Sequence, residues 1–593
     1  MIRNESERQS VLRPLTRLGP LTLFMFFFFV LPIGIFFVYS FWAKDGWAIV
    51  REWNLQNYVD VLGSPTYTSL ILRSLGIGLR IAILAVLVVY PLAYAMVFKL
   101  EKYRDFILLL LTISLFSNYL VRIYAWRSIL ASNGLFNWIF MAIGLSSQPE
   151  PYLLYSQWGV ILILMNVYIP FATLPIYSAL LNVDRDTIEA AQDLGASPLR
   201  AFAEITLPLT MPGVIVSFLF IFLLSAGDFV TPTFVGGRTG MMIGNAIATQ
   251  FGALSNWPLG SAMVFSTVLM MVAVIVAVVL TRIAVKAVQK MQRTRLSRAA
   301  LDLQMKEAPA AVVTRTETTA ATVRTSRVLR IPALRLGRMP LLQVYAVLAL
   351  LFLFLPIVML MILSFNTNRT GVFPLQGFTL GWYQETFHNQ IIGPALMNSL
   401  IVALATAAAA ALLGTPAALG LTRYHFRLKG VLRALFTLPM SLPTLLVGIA
   451  LLSFLVFISF PRSLLTVIIG HLVYCVPYMV LTLTAGLEEF DFTVEEAAQD
   501  LGATPFQTFR MVTFPLIRPI IIGAMLLIFA TSFDMFVITF FNIGHGSTLP
   551  MVIWSMMRYG INPSLNAIGT MLIAFSIVLL VVASRLGGVK LVR

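Results

Sequence analysis

Charged residues are scarce in this 593-residue chain: 11% of the residues are Asp, Glu, Lys or Arg, whereas 59% are hydrophobic and the mean hydropathy is +0.88. Soluble domains carry about 25% charged residues, so the composition excludes an ordinary soluble protein of this size. The apolar residues form long blocks, and about 20 such residues cross a bilayer as a helix. The clearest blocks are 21–42, 81–100, 158–181 and 344–364. The sequence therefore predicts an all-α polytopic membrane protein.

Residues for covalent or redox chemistry are also scarce. Cys475 is the single cysteine, which excludes an intrachain disulfide. No GxxxxGK[ST] phosphate-binding loop occurs in the sequence, which lacks even one Gly-Lys dipeptide. The four histidines are scattered, and the sequence shows no Cys/His metal cluster and no plausible catalytic triad. We therefore expect no catalytic, cofactor-binding or metal-binding residues, and any ATP hydrolysis must be supplied by a separate subunit.

The net charge of +16 comes from basic residues in short stretches between the apolar blocks. Arg3, Arg8, Arg13 and Arg17 precede the first block, and a larger basic set lies within 282–338. An excess of Lys and Arg in alternate loops is typical of cytoplasmic segments, so topology explains the charge better than nucleic-acid binding does. The first block is too long for a signal-peptide core, and we expect a retained first span. The prediction is a multi-pass membrane protein with cytoplasmic termini.

About twelve spans are expected, six in each half of the chain. In the first half they lie near 20–42, 70–99, 105–130, 157–182, 208–230 and 259–286. In the second half they lie near 341–364, 397–421, 431–459, 464–487, 515–540 and 563–585. An even number of spans per half predicts parallel repeats, related by a pseudo-twofold axis along the membrane normal. The predicted segments are a cytoplasmic N-terminus at 1–19, a first membrane domain at 20–289, a basic cytoplasmic linker at 290–338 and a second membrane domain at 339–593.

The sequence EAAQDLGA occurs at 189–196 and again at 496–503, each time after the fourth predicted span of a half. An eight-residue identity between two loops of one chain indicates two equivalent docking points outside the membrane. Each loop is predicted to form two short helices on the cytoplasmic face. The charged face of the first helix would present Glu189 and Glu496 to a partner.

Local signals in the first copy define these two helices. Asp184 or Asp186 can cap the first helix, and Gly195 can end it in a left-handed conformation. Ser197 can cap the second helix, which has a proline at its first position. We expect Pro208 to end this second helix and to open the fifth span.

These copies resemble the EAA loop of ABC importer permeases. The first copy matches the motif throughout, with Glu189, Ala190, Ala191, Gly195, Ile205, Leu207 and Pro208. The second copy has Glu496, Ala497, Ala498, Gly502 and Pro515, with Val512 and Phe514 where the family usually has Ile and Leu. The resemblance implies a type I ABC importer fold whose two loops are coupling helices. It also implies that the Glu, Ala and Gly residues of both motifs contact separate ATPase subunits.

The same resemblance implies a bacterial inner (plasma) membrane as the location, and it also implies the partners and where they bind. Two ABC ATPase subunits would dock at 184–207 and 491–514. A periplasmic solute-binding protein would deliver substrate to the loops near 42–69, 131–157 and 365–396. Membrane lipid would surround the chain, and no nucleic acid is expected.

A second resemblance concerns the cargo. The segment GDFVTPTFVGG at 227–237 is similar to the first permease of spermidine/putrescine importers. SFDMFVITFF at 532–541 and NPSLNAIGT at 562–570 are similar to the second. The chain thus resembles the two permeases joined head to tail, which implies import of polyamines or a related small amine. Fused permeases of this type also resemble importers of ferric iron and of 2-aminoethylphosphonate, so these cargoes stay open.

Two acids are candidates for the substrate path. Asp228 and Asp534 are predicted at corresponding places near the outer ends of the fifth spans, where ionisable residues usually face a cavity or a partner. Met535 stands where the polyamine permeases have a second acid, which dilutes the acidic character. As an alternative, Arg122 or Arg127 could pair with Asp228 in a structural ion pair, or could attract an anionic cargo.

Aromatic residues are further candidates for the path. Tyr124, Trp126, Trp554 and Tyr559 could form cation–π contacts with an ammonium group. The alternative is that they anchor the spans at the membrane interface.

Two other classes of protein remain open on the sequence alone. A secondary transporter of two six-span halves explains the span count and the repeat, but not the doubled cytoplasmic motif. A membrane receptor would bind ligand without moving it. ATP dependence separates the importer from the first alternative, and accumulation of ligand in sealed vesicles separates it from the second.

Overall fold

The computed structural model describes residues 16–46, 48–145, 148, 153–280, 340–368, 375–488, 490–560 and 562–586. The predicted linker at 290–338 lies outside the described residues, as do residues 1–15 of the predicted N-terminal segment. The chain forms two compact units, one made of Met1–Thr267 with Leu342–Arg593 and the other of Val268–Leu341.

Long apolar helices dominate the first half, as the hydropathy predicts. The helices of this half are α1 Thr16–Tyr39, α2 Gln56–Gly63, α3 Pro65–Phe98, α4 Arg104–Leu115, α5 Tyr119–Leu130, α6 Leu135–Ala142, α7 Gln157–Leu181, α8 Arg185–Asp193, α9 Pro198–Ala226, α10 Val230–Val235, α11 Ile243–Phe251 and α12 Trp257–Leu280. A two-stranded antiparallel hairpin of β1 Ala43–Asp45 and β2 Ala48–Val50 follows α1.

The second half repeats this order. Its helices are α13 Pro340–Leu363, α14 Gly381–His388, α15 Ile392–Arg423, α16 Lys429–Thr437, α17 Thr444–Phe457, α18 Leu464–Glu488, α19 Thr493–Asp500, α20 Pro505–Asp534, α21 Val537–Asn542, α22 Leu549–Arg558 and α23 Pro563–Leu586. Among the described residues, nine helices are single apolar spans, and two bent helix pairs also meet the criteria for a span. With α23, every predicted span has a counterpart, which confirms the predicted fold class.

The third span of each half is broken, although the sequence analysis predicted a continuous helix there. The axis bends by 92° between 101–115 and 119–142, and by 104° between 429–441 and 444–457. At the first break, the Asn118 side chain caps α5 by accepting a hydrogen bond from the Val121 N–H. At the second break, Pro443 precedes α17 in an extended conformation. Each break therefore places the N-terminus of a half-helix inside the protein.

The fifth spans also differ from their predicted boundaries. Pro208 does not separate two helices, because α9 runs from Pro198 to Ala226 through a π turn at Phe202–Thr206. In the same way, α20 passes through a π turn at Phe509–Thr513. A proline lacks the N–H that a helix would use, and the wide turn directly before it accommodates the missing hydrogen bond. In each predicted coupling loop (184–207 and 491–514), the second short helix and the fifth span are therefore one continuous helix.

The first span of each half packs against the other half. Leu21 and Met25 of α1 lie in one buried cluster with Ala403 and Ala407 of α15. In return, α13 reaches the first half, where the Tyr345 hydroxyl donates to the Val88 carbonyl at 2.6 Å. This exchange interlocks the halves, so that they form one compact unit.

Candidate functional site

The first coupling loop has the local structure that its sequence predicts. Asp184 caps α8, its side chain accepting from the Asp186 N–H at 3.0 Å. Gly195 ends the helix with a φ of +90°, a left-handed conformation that favours glycine. Ser197 then caps the start of α9 by accepting from the Arg200 N–H at 3.3 Å.

The second coupling loop reaches the same shape with different caps. Asp491 accepts from the Thr493 N–H at 3.0 Å just before α19, and hydrogen bonds from the backbone and side chain of Thr493 lower the pKa of this carboxyl below its ordinary value. Gly502 has a φ of +91°. Thr504 and Gln507 form a reciprocal capping box at the start of α20.

Both loops present matched surfaces. In each copy of the motif the glutamate, the first alanine and the glycine are exposed and the second alanine is partly buried; these residues are Glu189, Ala190, Gly195 and Ala191, and Glu496, Ala497, Gly502 and Ala498. Leu194 is 91% exposed and Leu501, at the equivalent position, is 90% exposed. Leu199 and Phe506 form a second matched pair, each 70% exposed. The two loops therefore expose apolar side chains at equivalent positions, beside equivalent glutamates.

An arginine–aromatic pair holds the first loop against the end of the second span. The Arg185 guanidinium lies 5.4 Å from the centre of the Phe98 ring. It donates to the Val97 carbonyl at 2.7 Å and to the Glu101 carboxylate at 2.6 Å. The Val97 carbonyl belongs to the last turn of α3, so Arg185 satisfies an acceptor that the helix itself leaves open.

The second loop uses the same kind of pair with the two partners exchanged. Arg423, at the end of the second span of its half, lies 5.6 Å from the ring of Phe492 on the loop. Arg423 also forms an ion pair with Glu495, which accepts from the Thr513 hydroxyl at 2.5 Å. The sequence analysis missed Glu495, although one signal was available: it replaces the apolar Ile188 of the first copy.

A cavity of about 220 Å³ lies between the halves at the breaks of the helices. Nine of its 23 lining residues are aromatic, and the wall includes both predicted acids. The aromatic, acidic and basic lining residues are Phe116, Tyr119, Arg122, Tyr168, Phe171, Phe220, Asp228, Phe229, Tyr474, Tyr478, Asp534 and Phe536. Aromatic faces and carboxylates both attract cations, so the chemistry of the wall suits an organic ammonium group.

Asp228 takes its hydrogen bonds from its own half. Its carboxylate accepts from the N–H groups of Val230 and Thr231, each at 3.2 Å, and so caps α10. The Tyr119 hydroxyl donates to it at 2.9 Å. Asp228 is 9% exposed and lines the cavity.

Asp534 takes its hydrogen bonds from the opposite half. Its two carboxylate oxygens accept from the Tyr119 N–H at 2.9 and 3.1 Å, and the Asn118 side-chain amide donates to it as well. These donors lie at the start of α5, where the helix dipole favours a negative charge. Tyr119 thus contacts both acids, one through its hydroxyl and the other through its backbone.

The two acids are not equivalent positions, contrary to the sequence analysis. When the two halves are aligned on their EAAQDLGA motifs, Asp534 aligns with Gly227 and Asp228 aligns with Met535. This shift of one residue explains their different partners. Asp228 follows the end of α9 and can cap α10, whereas Asp534 is the last residue of α20 and points to the other half.

Among the described residues, neither Arg122 nor Arg127 forms the alternative ion pair with Asp228. Arg122 donates to the carbonyl oxygens of Ser114, Ser117 and Asn166. Arg127, for its part, donates to the carbonyl oxygen of Met557 at 3.0 Å. Arg122 nonetheless lines the cavity, so its positive charge acts on whatever enters.

The structure places the three predicted aromatic path residues outside the cavity lining. Tyr124 is 1% exposed and donates to the Asn562 carbonyl at 2.8 Å. Trp126, also 1% exposed, packs against Phe352 of the other half. Trp554 is buried behind the wall, 4.6 Å from the Phe536 ring between ring centres. Their amphipathic rings contribute to inter-half packing here.

Tyr559, the fourth aromatic candidate, is 91% exposed. The sequence analysis missed the tyrosines and phenylalanines that do line the cavity. Hydropathy gives no signal for them, because an aromatic residue counts as apolar wherever it points.

The chain is similar to known membrane components of transport systems. The family "Binding-protein-dependent transport system inner membrane component" matches residues 16–297 and 410–589. The putrescine transport system permease protein PotI of Escherichia coli (strain K12) is 38% identical over 244 residues, which cover 40% of this chain and 86% of PotI. The spermidine/putrescine transport system permease protein PotC of the same strain is 34% identical over 236 residues, covering 40% of this chain and 89% of PotC.

Two further proteins are similar to parts of the chain. The spermidine/putrescine transport system permease protein PotB of Salmonella typhimurium (strain SL1344) is 33% identical over 262 residues, covering 44% of this chain and 89% of PotB. A bacterial ABC transporter involved in the import of the acidic polysaccharide alginate matches with a TM-score of 0.32 at 15% identity, over 42% of this chain and 95% of that chain. The family match covers both halves, and each permease named above corresponds to less than half of this chain. The chain therefore belongs to the family of binding-protein-dependent transport system inner membrane components, as a multi-pass inner-membrane permease of the ABC importer type with two halves fused in one polypeptide.

Proposed function

We propose that this chain is the transmembrane permease of an ATP-driven importer of polyamines or related small amines. The observation that carries the proposal is the pair of exposed coupling loops with matched glutamates, glycines and apolar side chains. Two equivalent docking surfaces on one chain call for two equivalent partners. ABC ATPase subunits fit, because the chain itself has no phosphate-binding loop.

The ATPase subunits would dock at 184–207 and 491–514. Glu189, Ala190, Ala191 and Gly195 would contact one subunit, and Glu496, Ala497, Ala498 and Gly502 the other. Closure of the ATPases on ATP would draw the coupling helices together. Because α9 and α20 each contain the second helix of a loop and the fifth span, the movement would reach the cavity. ATP hydrolysis would then reset the two-state element.

A periplasmic solute-binding protein would deliver the cargo to the opposite face. The loops near 42–69, 131–157 and 365–396 would receive it, and both termini would lie in the cytoplasm. The proposed division of the chain keeps the first permease domain at 20–289, the linker at 290–338 and the second permease domain at 339–593. The linker would let a single gene product supply both halves of the pore.

Two observations support a cationic cargo. The relatives PotI, PotC and PotB are named as putrescine or spermidine/putrescine permeases. Independently, Asp228 and Asp534 line a cavity whose wall also carries nine aromatic residues. Carboxylates with aromatic faces bind ammonium groups by charge and by cation–π attraction. We propose Asp228 and Asp534 as path residues on this ground.

The position of Arg122 favours 2-aminoethylphosphonate as a second candidate for the cargo. Its guanidinium lines the cavity, and its Nε has no acceptor among the residues that the structure describes. A zwitterion such as 2-aminoethylphosphonate would place its phosphonate near Arg122 and its ammonium near an acid. The same uptake assay decides between the two cargoes by competition.

Uptake into proteoliposomes tests the proposal. The chain would be reconstituted with its ATPase subunits and binding protein, and labelled spermidine and putrescine would be supplied with and without internal ATP. A Glu189→Lys/Glu496→Lys double variant should abolish ATP-dependent uptake, since it reverses the charge at both loops. Glu488→Lys is the matched control, because Glu488 has a largely exposed side chain and lies outside both loops.

The outcomes separate the parts of the proposal. ATP-dependent polyamine uptake that disappears only in the double variant supports both the class and the cargo. Uptake of 2-aminoethylphosphonate in place of polyamines would keep the importer class and replace the cargo. Uptake that is indifferent to ATP and to both glutamates would contradict the importer mechanism and favour a secondary transporter.

A further inference from the structure

The second coupling loop has a buried contact that the first lacks. Glu495 is 6% exposed, although its neighbour Glu496 is exposed. Its carboxylate accepts hydrogen bonds from Arg423, at the end of α15, and from the hydroxyl of Thr513, in the π turn of α20. Ile188 occupies the equivalent position of the first loop, so the carboxylate is specific to the second.

We propose that Arg423, Glu495 and Thr513 act together as positioning residues that fix the second coupling helix to the second and fifth spans of its half. The proposal rests on the proposed function, in which α19 receives an ATPase subunit. None of the three side chains belongs to the exposed face of the loop, so they act through the placement of α19. A buried ion pair with a further hydrogen bond holds one geometry, because an alternative geometry leaves a charge unpaired in a low-dielectric site.

The first loop is attached by a contact that water can replace. Arg185 and Glu101 have side chains that are 48% and 55% exposed. An ion pair with this much solvent access adds little stability and exchanges readily with water. The two loops are therefore attached unequally. The buried ion pair holds the second loop in one position, so that this loop transmits movement, whereas the first loop can shift on the end of α3. Loss of the buried pair should therefore uncouple ATP hydrolysis from transport more than loss of the exposed pair does.

The test measures the number of substrate molecules imported per ATP hydrolysed by the reconstituted transporter. Glu495→Ile places the residue of the first loop in the second. We expect the ratio to fall about threefold to tenfold, the range in which mutations along a coupling route act. The ATPase subunits should still co-purify, since the exposed face of α19 is unchanged. Glu101→Gln is the matched control at the first loop, and we expect a change of less than about twofold.

Two further variants keep the test decisive if Glu495→Ile folds poorly. Arg423→Met/Glu495→Ile replaces the pair by apolar side chains and leaves no stranded charge. If the pair acts as a unit, this double variant lowers the ratio no further than Glu495→Ile does. Thr513→Val removes only the hydroxyl and should cause a smaller fall in the same direction.

Three results would overturn the proposal. The first is that the double variant and Thr513→Val, with the ATPase subunits still bound, import as many substrate molecules per ATP as the wild type does. Another is an equal fall in Glu101→Gln, which would show that the loops transmit movement alike. The third is that the wild-type chain binds no ATPase subunit, which would contradict the proposed function itself. Co-purification measures this binding before any ratio is determined.

Discussion

The two halves share their helices and loops but exchange chemistry at equivalent contacts. In the first half the cation is on the coupling loop and the aromatic ring on the second span, as Arg185 and Phe98. In the second half the ring is on the loop and the cation on the span, as Phe492 and Arg423. The distance from the guanidinium carbon to the ring centre is 5.4 Å in one half and 5.6 Å in the other. The contact, and not the residue at either position, is the common feature.

The breaks of the third spans show the same relation. The break of the second half brings Pro443 against Gly227, so closely that a Cβ added to Gly227 would lie 2.5 Å from the Pro443 Cβ. The equivalent break of the first half brings Asn118 against Asp534 through a hydrogen bond. Asn118 has a side-chain amide that donates to the carboxylate, whereas Pro443 has no side-chain donor and faces a glycine that has no carboxylate. One contact is steric and the other polar, yet both join the same elements.

The largest expected effect distinguishes the buried ion pair from the exposed one. Arg423→Met strands the carboxylate of Glu495 in the interior, which should cost about 3 kcal/mol of stability. Glu101→Gln removes the charge of the exposed pair while Arg185 keeps its hydrogen bond to the Val97 carbonyl, and it should cost less than about 1 kcal/mol. Thermal inactivation of the purified protein in detergent, followed by loss of the monodisperse peak, would measure both. Equal losses would mean that the two attachments are energetically alike.

The steric contact between the halves gives the second prediction. Gly227→Ala should destabilise the protein by about 2 kcal/mol, because the new methyl group overlaps Pro443 in a packed interface. Gly523→Ala is the control: it adds a methyl group in the equivalent fifth span with no atom within 4 Å. That change should be neutral or slightly stabilising, since alanine is the better helix former. The same thermal assay applies, and a neutral Gly227→Ala would show that the interface opens readily.

Local signals explain why the loops could be predicted so well. A cap, a left-handed glycine and a proline at the first helical position all act within a few residues, so the structures around Gly195 and Ser197 follow from their own neighbours. The spans could be predicted for a similar reason, because the bilayer requires an apolar length whatever the tertiary fold. Family resemblance then supplied the functional interpretation.

The sequence analysis was weakest where residues distant in the chain meet. Asn118 and Asp534 are 416 positions apart, and their contact depends on how the halves interlock. The break after Leu115 was hidden, because the two half-helices together are as apolar as one span. Tyr119 contacts both acids through different atoms, and no pattern in the sequence predicts this.

The third prediction tests where the halves should be alike. Gly195 and Gly502 have φ values of +90° and +91°, and neither has an atom within 4 Å of an added Cβ. Alanine at either position should therefore cost only backbone strain, about 1 kcal/mol in each loop. Hydrogen exchange of the peptides that contain α8 and α19 would report the local loss. A clear difference between the loops would indicate that one of them draws support from the rest of the protein.

The smallest effect concerns the caps of the coupling helices at low pH. Hydrogen bonds from Thr493 lower the pKa of Asp491 in the folded protein, so this cap stabilises α19 above the pKa of the unfolded chain and is lost as the pH falls through the folded value. Between about pH 5 and pH 3, the protection factor of the amides in the first turn of α19, which is the intrinsic exchange rate divided by the measured rate, should therefore fall. Asp491→Asn keeps an acceptor oxygen but cannot titrate, so this fall should vanish in that variant. If the protection factor fell equally in both proteins, another group would be responsible for the loosening, and the difference between the caps of the two loops would lie in their geometry alone.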